Sequence, residues 1–197
     1  ETAAAVVKDK KEILSSVVAS QIDTHKEFGG VVPEVASRIH VENISYVIEK
    51  AVKDSGLDWK DIDAIAVTQG PGLIGCLHVG VQAAKTLALL KEKPLVPVNH
   101  LAAHIYANEM VVDMEYPVMA LLVSGGNSEL IYMTDPHSFE ILGETQDDAI
   151  GEAYDKVARV LNLGYPGGPK IDKLARQGKP VYQMTTQQTQ GEYDFSL

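Results

Sequence analysis

Two short runs at the start of the chain, Thr2–Lys8 and Glu12–Ala19, are apolar and partly β-branched, with the charged triplet Asp9-Lys10-Lys11 between them. That pattern predicts a β-hairpin. Gly29-Gly30-Val31-Val32-Pro33 reads as a loop whose proline can open a helix. From Glu34 the apolar residues Val35, Ile39, Val41, Ile44, Val47, Ile48 and Val52 recur at helical spacing, and Gly56 closes the element. Residues 62–68 predict a buried strand that runs into the glycine-rich turn Gln69–Gly75, followed by a helix over about 80–90 and a strand over 94–98. Asn99 then stands at an N-cap position, with a helix over 101–110 after it.

Beyond a connector at 113–116 the pattern restarts. Residues 117–123 predict a strand, 124–128 a tight turn, and 129–133 and 139–142 further strands. Helices are expected over 148–161 and 171–176, separated by a loop at 164–169, and the polar Gln/Thr-rich tail 180–191 is expected to be mobile and outside the core. Each half opens with a hairpin and continues into helix and strand, which predicts an α/β protein with helix-covered sheets. The halves, 1–112 and 113–197, read as a duplicated domain with a cleft between them.

The 197 residues are 45% hydrophobic, enough for an ordinary globular core. No apolar run is long enough to cross a bilayer, and no secretory leader is expected because Glu1 opens directly on a strand-like segment. Both ends read as cut from a longer chain. A lone cysteine, Cys76, excludes an intrachain disulfide and fits a reducing cytoplasm. The net charge of −10 is unlike that of a typical nucleic-acid binder, so contact with nucleic acid needs a local basic patch or a partner.

His100 and His104 lie four residues apart, hence on one helical face, where two imidazoles can hold one divalent metal. The spacing is that of zinc proteases, but Leu101 stands where their glutamate base follows the first histidine. Two histidines on the surface of an amphipathic helix is the plainer reading. The turn Ser124-Gly125-Gly126-Asn127-Ser128 can converge backbone N–H groups on an anion, or be an ordinary hairpin turn. The turn Gln69–Gly75 precedes a helix but lacks the Gly-Lys-Ser/Thr of a phosphate loop, so tight strand–helix packing suits it better. Asp155 and Asp172 can accept hydrogen bonds from ribose hydroxyls, although Lys156 and Arg159 offer Asp155 simple ion pairs. Arg38 and His40 face either solvent or a cleft, and Cys76 reads as packing.

Together these segments resemble one family. His25-Lys-Glu-Phe-Gly-Gly-Val-Val-Pro-Glu-Val-Ala-Ser-Arg38-Ile-His40, Gln69-Gly-Pro-Gly-Leu-Ile-Gly75, Asn99-His-Leu-Ala-Ala-His104, Val123-Ser-Gly-Gly126 and Tyr165-Pro-Gly-Gly-Pro169, with Glu1-Thr-Ala-Ala-Ala at the start, occur in the order found in the tRNA N6-adenosine threonylcarbamoyltransferases, the bacterial TsaD group once labelled glycoprotein endopeptidases. The resemblance implies the actin-like (ASKHA) ATPase fold, two similar subdomains with a nucleotide cleft between them, the second truncated. It implies one divalent metal, iron or zinc, on His100 and His104, with an aspartate beyond Leu197 as a further ligand, and a family opening strand ahead of Glu1. It implies a nucleotide cradled by Ser124, Gly125, Gly126, Asn127, Ser128, Asp155, Gly168 and Asp172, where the family more often carries His-Thr in place of Asn127-Ser128.

The implied reaction moves a threonylcarbamoyl group from threonylcarbamoyl-AMP to N6 of the adenosine 3′ of the anticodon, in tRNAs reading ANN codons. The implied partners are tRNA, a small paralogous actin-like subunit and a P-loop ATPase subunit, in the cytoplasm and without a membrane. No general base stands out. A metal-dependent glycoprotein endopeptidase and a non-catalytic nucleotide-binding scaffold are the alternatives.

Overall fold

The computed structural model describes residues 1–183 and 189–196. The chain divides into two compact units, one of residues 1–25 with 31–113, the other of residues 26–30 with 114–197. Both are α/β.

In the first unit β1 (Thr2–Lys8) and β2 (Glu12–Ala19) pair antiparallel, with Thr2 opposite Ala19 and Lys8 opposite Glu12. Asp9 and Lys10 both take positive φ, 49° and 69°, which gives the turn the twist that two-residue hairpins favour. A short helix, α1 (Ile22–Lys26), follows where the sequence pattern gave no signal. The long helix α2 (Pro33–Asp54) starts with Pro33 in its first turn, where the missing N–H costs nothing. It ends at Ser55 and Gly56, the glycine at φ 73°. Its small buried residues Ala36 and Ala51 let it lie close on β1 and β2, and the Ala51 carbonyl also accepts the buried Ser15 hydroxyl at 2.6 Å.

β3 (Ile65–Gly70), α3 (Ile74–Leu90) and β4 (Leu95–Asn99) form a βαβ unit with parallel strands. The helix α3 begins at Ile74, not near residue 80 as the pattern suggests. The reason is packing. A Cβ on Gly75 would stand 3.1 Å from Ser37 Cβ of α2, and one on Gly80 would stand 3.9 Å from Val67 of β3, so both glycines sit inside the helix as contact points and not as breaks. β1–β2 and β3–β4 are separate two-stranded sheets. α4 (His100–Tyr106) then continues as a 3-10 turn, Ala107–Met110.

In the second unit β5 (Val118–Val123), β6 (Ser128–Met133) and β7 (Glu140–Glu144) make an antiparallel sheet in that order. Leu122, Ile131 and Met133 are buried in its core. α5 (Ile150–Val160) and α6 (Gly168–Ala175) pack on each other. They touch closely because a Cβ on Gly167 would lie 2.6 Å from Ala158 Cβ and 2.6 Å from the Tyr154 carbonyl. Part of the tail expected to be mobile, residues 184–188, lies outside the described residues. Residues beyond it dock beside β7: Phe195 N–H donates to the Glu144 carbonyl at 3.2 Å, and Asp194 accepts from Glu144 N–H at 3.1 Å and from Gln146 Nε2 at 2.7 Å. Among the described residues no helix is long and apolar enough to cross a membrane.

Candidate functional site

The turn between β5 and β6 is held from inside. Ser124 N–H donates to the Asn127 carbonyl at 2.8 Å, Asn127 N–H donates to Ser124 Oγ at 3.0 Å, and Asn127 Nδ2 donates to Glu129 Oε1 at 2.9 Å. The N-terminus of α5 abuts it: Gly151 N–H donates to the Ser124 carbonyl at 3.2 Å and Ile150 N–H to Ser128 Oγ at 3.0 Å. Gly151 is required there, since its Cβ would lie 2.7 Å from Gly125 Cα and 2.8 Å from the Ser124 carbonyl oxygen. Gly125 and Gly126 are different. Neither takes a positive φ, and a Cβ on either meets nothing within 4 Å. The fold does not need glycine at these two positions, whereas close approach of a ligand to backbone N–H groups does.

The other expected nucleotide residues are spread along the next two helices. Asp155, on α5, accepts the Gly167 N–H at 2.7 Å through Oδ1, so one of its oxygens anchors the glycine loop instead of facing a ligand. Burial and the Asp155 charge push the Tyr165 hydroxyl above its ordinary pKa. Gly168 opens α6, and a Cβ there would touch the Tyr154 ring at an ordinary 3.8 Å. Asp172 is exposed and paired with Arg176 at 2.9 Å, an i,i+4 pair of the kind that contributes little. The ion pair expected beside Asp155 forms elsewhere: Lys156 reaches Asp148 at 2.6 Å and Glu152 at 3.2 Å, while Arg159 donates to the Gly29 carbonyl at 3.2 Å.

The histidine pair belongs to the first unit. Asn99 caps α4 as its position predicts, accepting from Leu101 and Ala102 N–H at 2.9 and 3.1 Å. This fixes His100 and His104 on one solvent-accessible face, with ring centroids 4.6 Å apart and planes at 72°. Partial burial, with His104 beside it, lowers the His100 pKa and so favours a neutral ring with a free lone pair. Two imidazoles on one helical face suit iron or zinc. Among the described residues no third His, Cys, Asp or Glu joins them.

His100 also lines a cavity of about 1440 Å³ in the same unit, with Gln21, His25 and His40 on its wall. Gln21 and His25 are 3% and 4% exposed. His25 Nε2 lies 3.2 Å from Gln21 Oε1, and His40 Nδ1 lies 2.8 Å from both the Gln21 amide nitrogen and the Ala36 carbonyl. So His40 faces inward, and burial lowers its pKa, while Arg38 is exposed and bonded to Glu34 at 2.7 Å. Cys76 is half-buried, and burial raises its thiol pKa, as expected of a packing residue.

Two features escaped the sequence reading. The Gln21–His25–His40 network joins Gln21, just ahead of α1, to His25 on α1 and to His40 on α2; Gln21 and His25 are four residues apart, but nothing in the spacing ties either of them to His40. Glu129 is 5% exposed on the core face of β6, and nothing in an alternating strand announces a buried carboxylate. The signal available was its place two residues after Asn127 in a glycine turn.

Residues 12–197 match the family model described as TsaD, tRNA N6-adenosine threonylcarbamoyltransferase. Over its whole length the chain is 58% identical to the tRNA N6-adenosine threonylcarbamoyltransferase of Anoxybacillus flavithermus, 59% to that of Geobacillus thermodenitrificans and 58% to that of Staphylococcus carnosus. It spans 58% of the length of each of these curated relatives. Among solved structures, YeaZ from Pseudomonas aeruginosa is similar at a TM-score of 0.40 and 17% identity, over 52% of this chain and 49% of that one.

Proposed function

The chain belongs to the tRNA N6-adenosine threonylcarbamoyltransferase family, and from that membership we propose that the full-length protein transfers a threonylcarbamoyl group from threonylcarbamoyl-AMP to N6 of the adenosine 3′ of the anticodon in tRNAs reading ANN codons. Residues 1–112 and 113–197 are the first actin-like subdomain and the first part of the second. The observation that carries the reading within this chain is the Ser124–Ser128 turn, whose two glycines the fold leaves unexplained and whose backbone meets the start of α5.

In this reading the adenosine N6 attacks the carbamoyl carbonyl, the bond from that carbon to the phosphate oxygen breaks, AMP leaves and the amine proton passes to solvent. The backbone N–H groups of Gly125 and Gly126 hold the phosphate and spread its charge as it departs, the α5 N-terminus adding favourable dipole potential. Asp155 shapes the loop that brings Gly168 and Asp172 to the nucleoside. His100 and His104 would hold one divalent metal, iron or zinc, which supplies Lewis acidity and a template for the carbonyl or carboxylate of the threonyl group. The partners are tRNA, a small paralogous actin-like subunit and a P-loop ATPase subunit, and the setting is the cytoplasm. An acidic chain acting on tRNA suits an assembly in which partners provide basic surface.

The test is an assay of the full-length protein with its partner subunits, threonine, bicarbonate, ATP and unmodified tRNA, beside a His100→Ala/His104→Ala double variant. Modified adenosine is read by mass spectrometry and metal content by elemental analysis. Modification and metal in the wild type, and neither in the variant, is expected. Equal modification by both returns the histidines to the helix surface. No modification by either, with the partners active in a control, overturns the transferase reading in favour of a scaffold.

A further inference from the structure

Glu129 is costly where it stands. Its side chain lies on the core face of β6, opposite the buried Leu122 on one side and a second carboxylate, Glu144, on the other. Oε1 takes the Asn127 amide, while Oε2 is buried with no hydrogen-bond partner. A buried carboxylate oxygen without a hydrogen-bond partner is strongly unfavourable. Residues that break local rules in this way concentrate at functional sites.

The carboxylate does one thing for the turn. A carboxylate only accepts, so Asn127 must direct Nδ2 toward it. That fixes the amide with Oδ1 on the opposite side, and among the described residues no hydrogen bond reaches that oxygen. An acceptor oxygen repels phosphate and attracts an O–H or N–H donor. The two glycines beside it offer only backbone, which suits phosphate.

Resting on the nucleotide reading above, we propose that Glu129 is a positioning residue that locks the Asn127 amide with its oxygen outward, so that Asn127 selects a neutral hydrogen-bond donor of the nucleoside while Gly125 and Gly126 take the phosphate. The donor is a ribose hydroxyl or the exocyclic amine of the base. Glu129 touches no ligand itself.

The test measures Kd by calorimetry for AMP, 2′-deoxy-AMP, 3′-deoxy-AMP and inosine monophosphate on the full-length protein. The variants are Glu129→Gln, Asn127→Ala and the double variant. Wild type is expected to prefer AMP about tenfold over the one analogue that lacks the selected donor, which identifies the group. Glu129→Gln can donate to Asn127 Oδ1 and let the amide turn over, so the preference is lost although the melting temperature holds or rises. Asn127→Ala loses the same preference, and adding Glu129→Gln to it changes nothing further. Inorganic phosphate displaces AMP equally from wild type and Glu129→Gln. Retained preference in a folded Glu129→Gln protein, or an additive loss in the double variant, overturns the positioning role. Absence of any AMP binding by wild type overturns the nucleotide reading itself.

Discussion

Asp155 Oδ1 accepts the Gly167 N–H at 2.7 Å, joining the middle of α5 to the loop that opens α6. The carboxylate expected to meet a ribose is in the first place a brace for Tyr165-Pro166-Gly167. Asp155→Ala should therefore lower stability by about 1.5–3 kcal/mol, the range for a hydrogen bond to a charged group, with a shifted urea midpoint as the readout. A stability unchanged by the substitution would remove the brace.

Gly125 and Gly151 should separate fold from ligand. Gly151→Ala forces a Cβ to within 2.7 Å of Gly125 Cα and 2.8 Å of the Ser124 carbonyl oxygen, and backbone cannot yield as a flexible side chain does. It should unseat the turn from α5, lowering both the melting temperature and AMP affinity. Gly125→Ala has room, so the melting temperature should hold while AMP affinity falls. Equal AMP affinity in wild type and Gly125→Ala would mean that no ligand approaches the turn.

The β1–β2 turn holds Lys10 in the left-handed region at φ 69°, where a side chain costs about 1–2 kcal/mol. Lys10→Gly should raise stability by roughly 0.5–1 kcal/mol after the extra chain entropy of glycine is subtracted. A thermal melt checks this, and a fall would show that the lysine side chain contributes more than its strain.

Burial lowers the His40 pKa from 6.5, against the pull of the Ala36 carbonyl, so folding favours the neutral ring. The stabilisation is complete above pH 6.5 and is lost as the pH falls through the lowered folded-state value. The urea midpoint should drop on acidification over that window. His40→Asn, which has no charge to gain, should flatten that part of the curve, and an unchanged slope would exclude His40 as its source.

Hydrogen bonds from Glu144 N–H, Gln146 Nε2 and Gly191 N–H lower the Asp194 pKa below 3.8. The docked end of the chain should loosen as the pH falls through that lowered value, and Asp194→Asn should loosen it at neutral pH. Amide exchange at Glu144 and Phe195 reports both, and protection equal to wild type would show that the backbone pairing suffices.

The sequence determined the local elements wherever one residue type forces one geometry. Pro33 and Gly56 bracket α2, Asn99 caps α4, and the charged triplet turns the first hairpin, because helix and turn chemistry acts within a few residues. It also determined the family, since six short motifs in order are a one-dimensional property. Tertiary structure decided what depends on neighbours distant in the chain. Gly75 and Gly80 look like breaks until α2 and β3 lie against them, and Asp155 looks like a ligand residue until Gly167 arrives beside it. Glu129 looks like one more polar position on a strand until folding buries its carboxylate and leaves Asn127 as its sole hydrogen-bond partner among the described residues. The physical reason is the same in all three. Steric room, desolvation and hydrogen-bond satisfaction are fixed by what surrounds a group in space, and spacing along the chain does not record it.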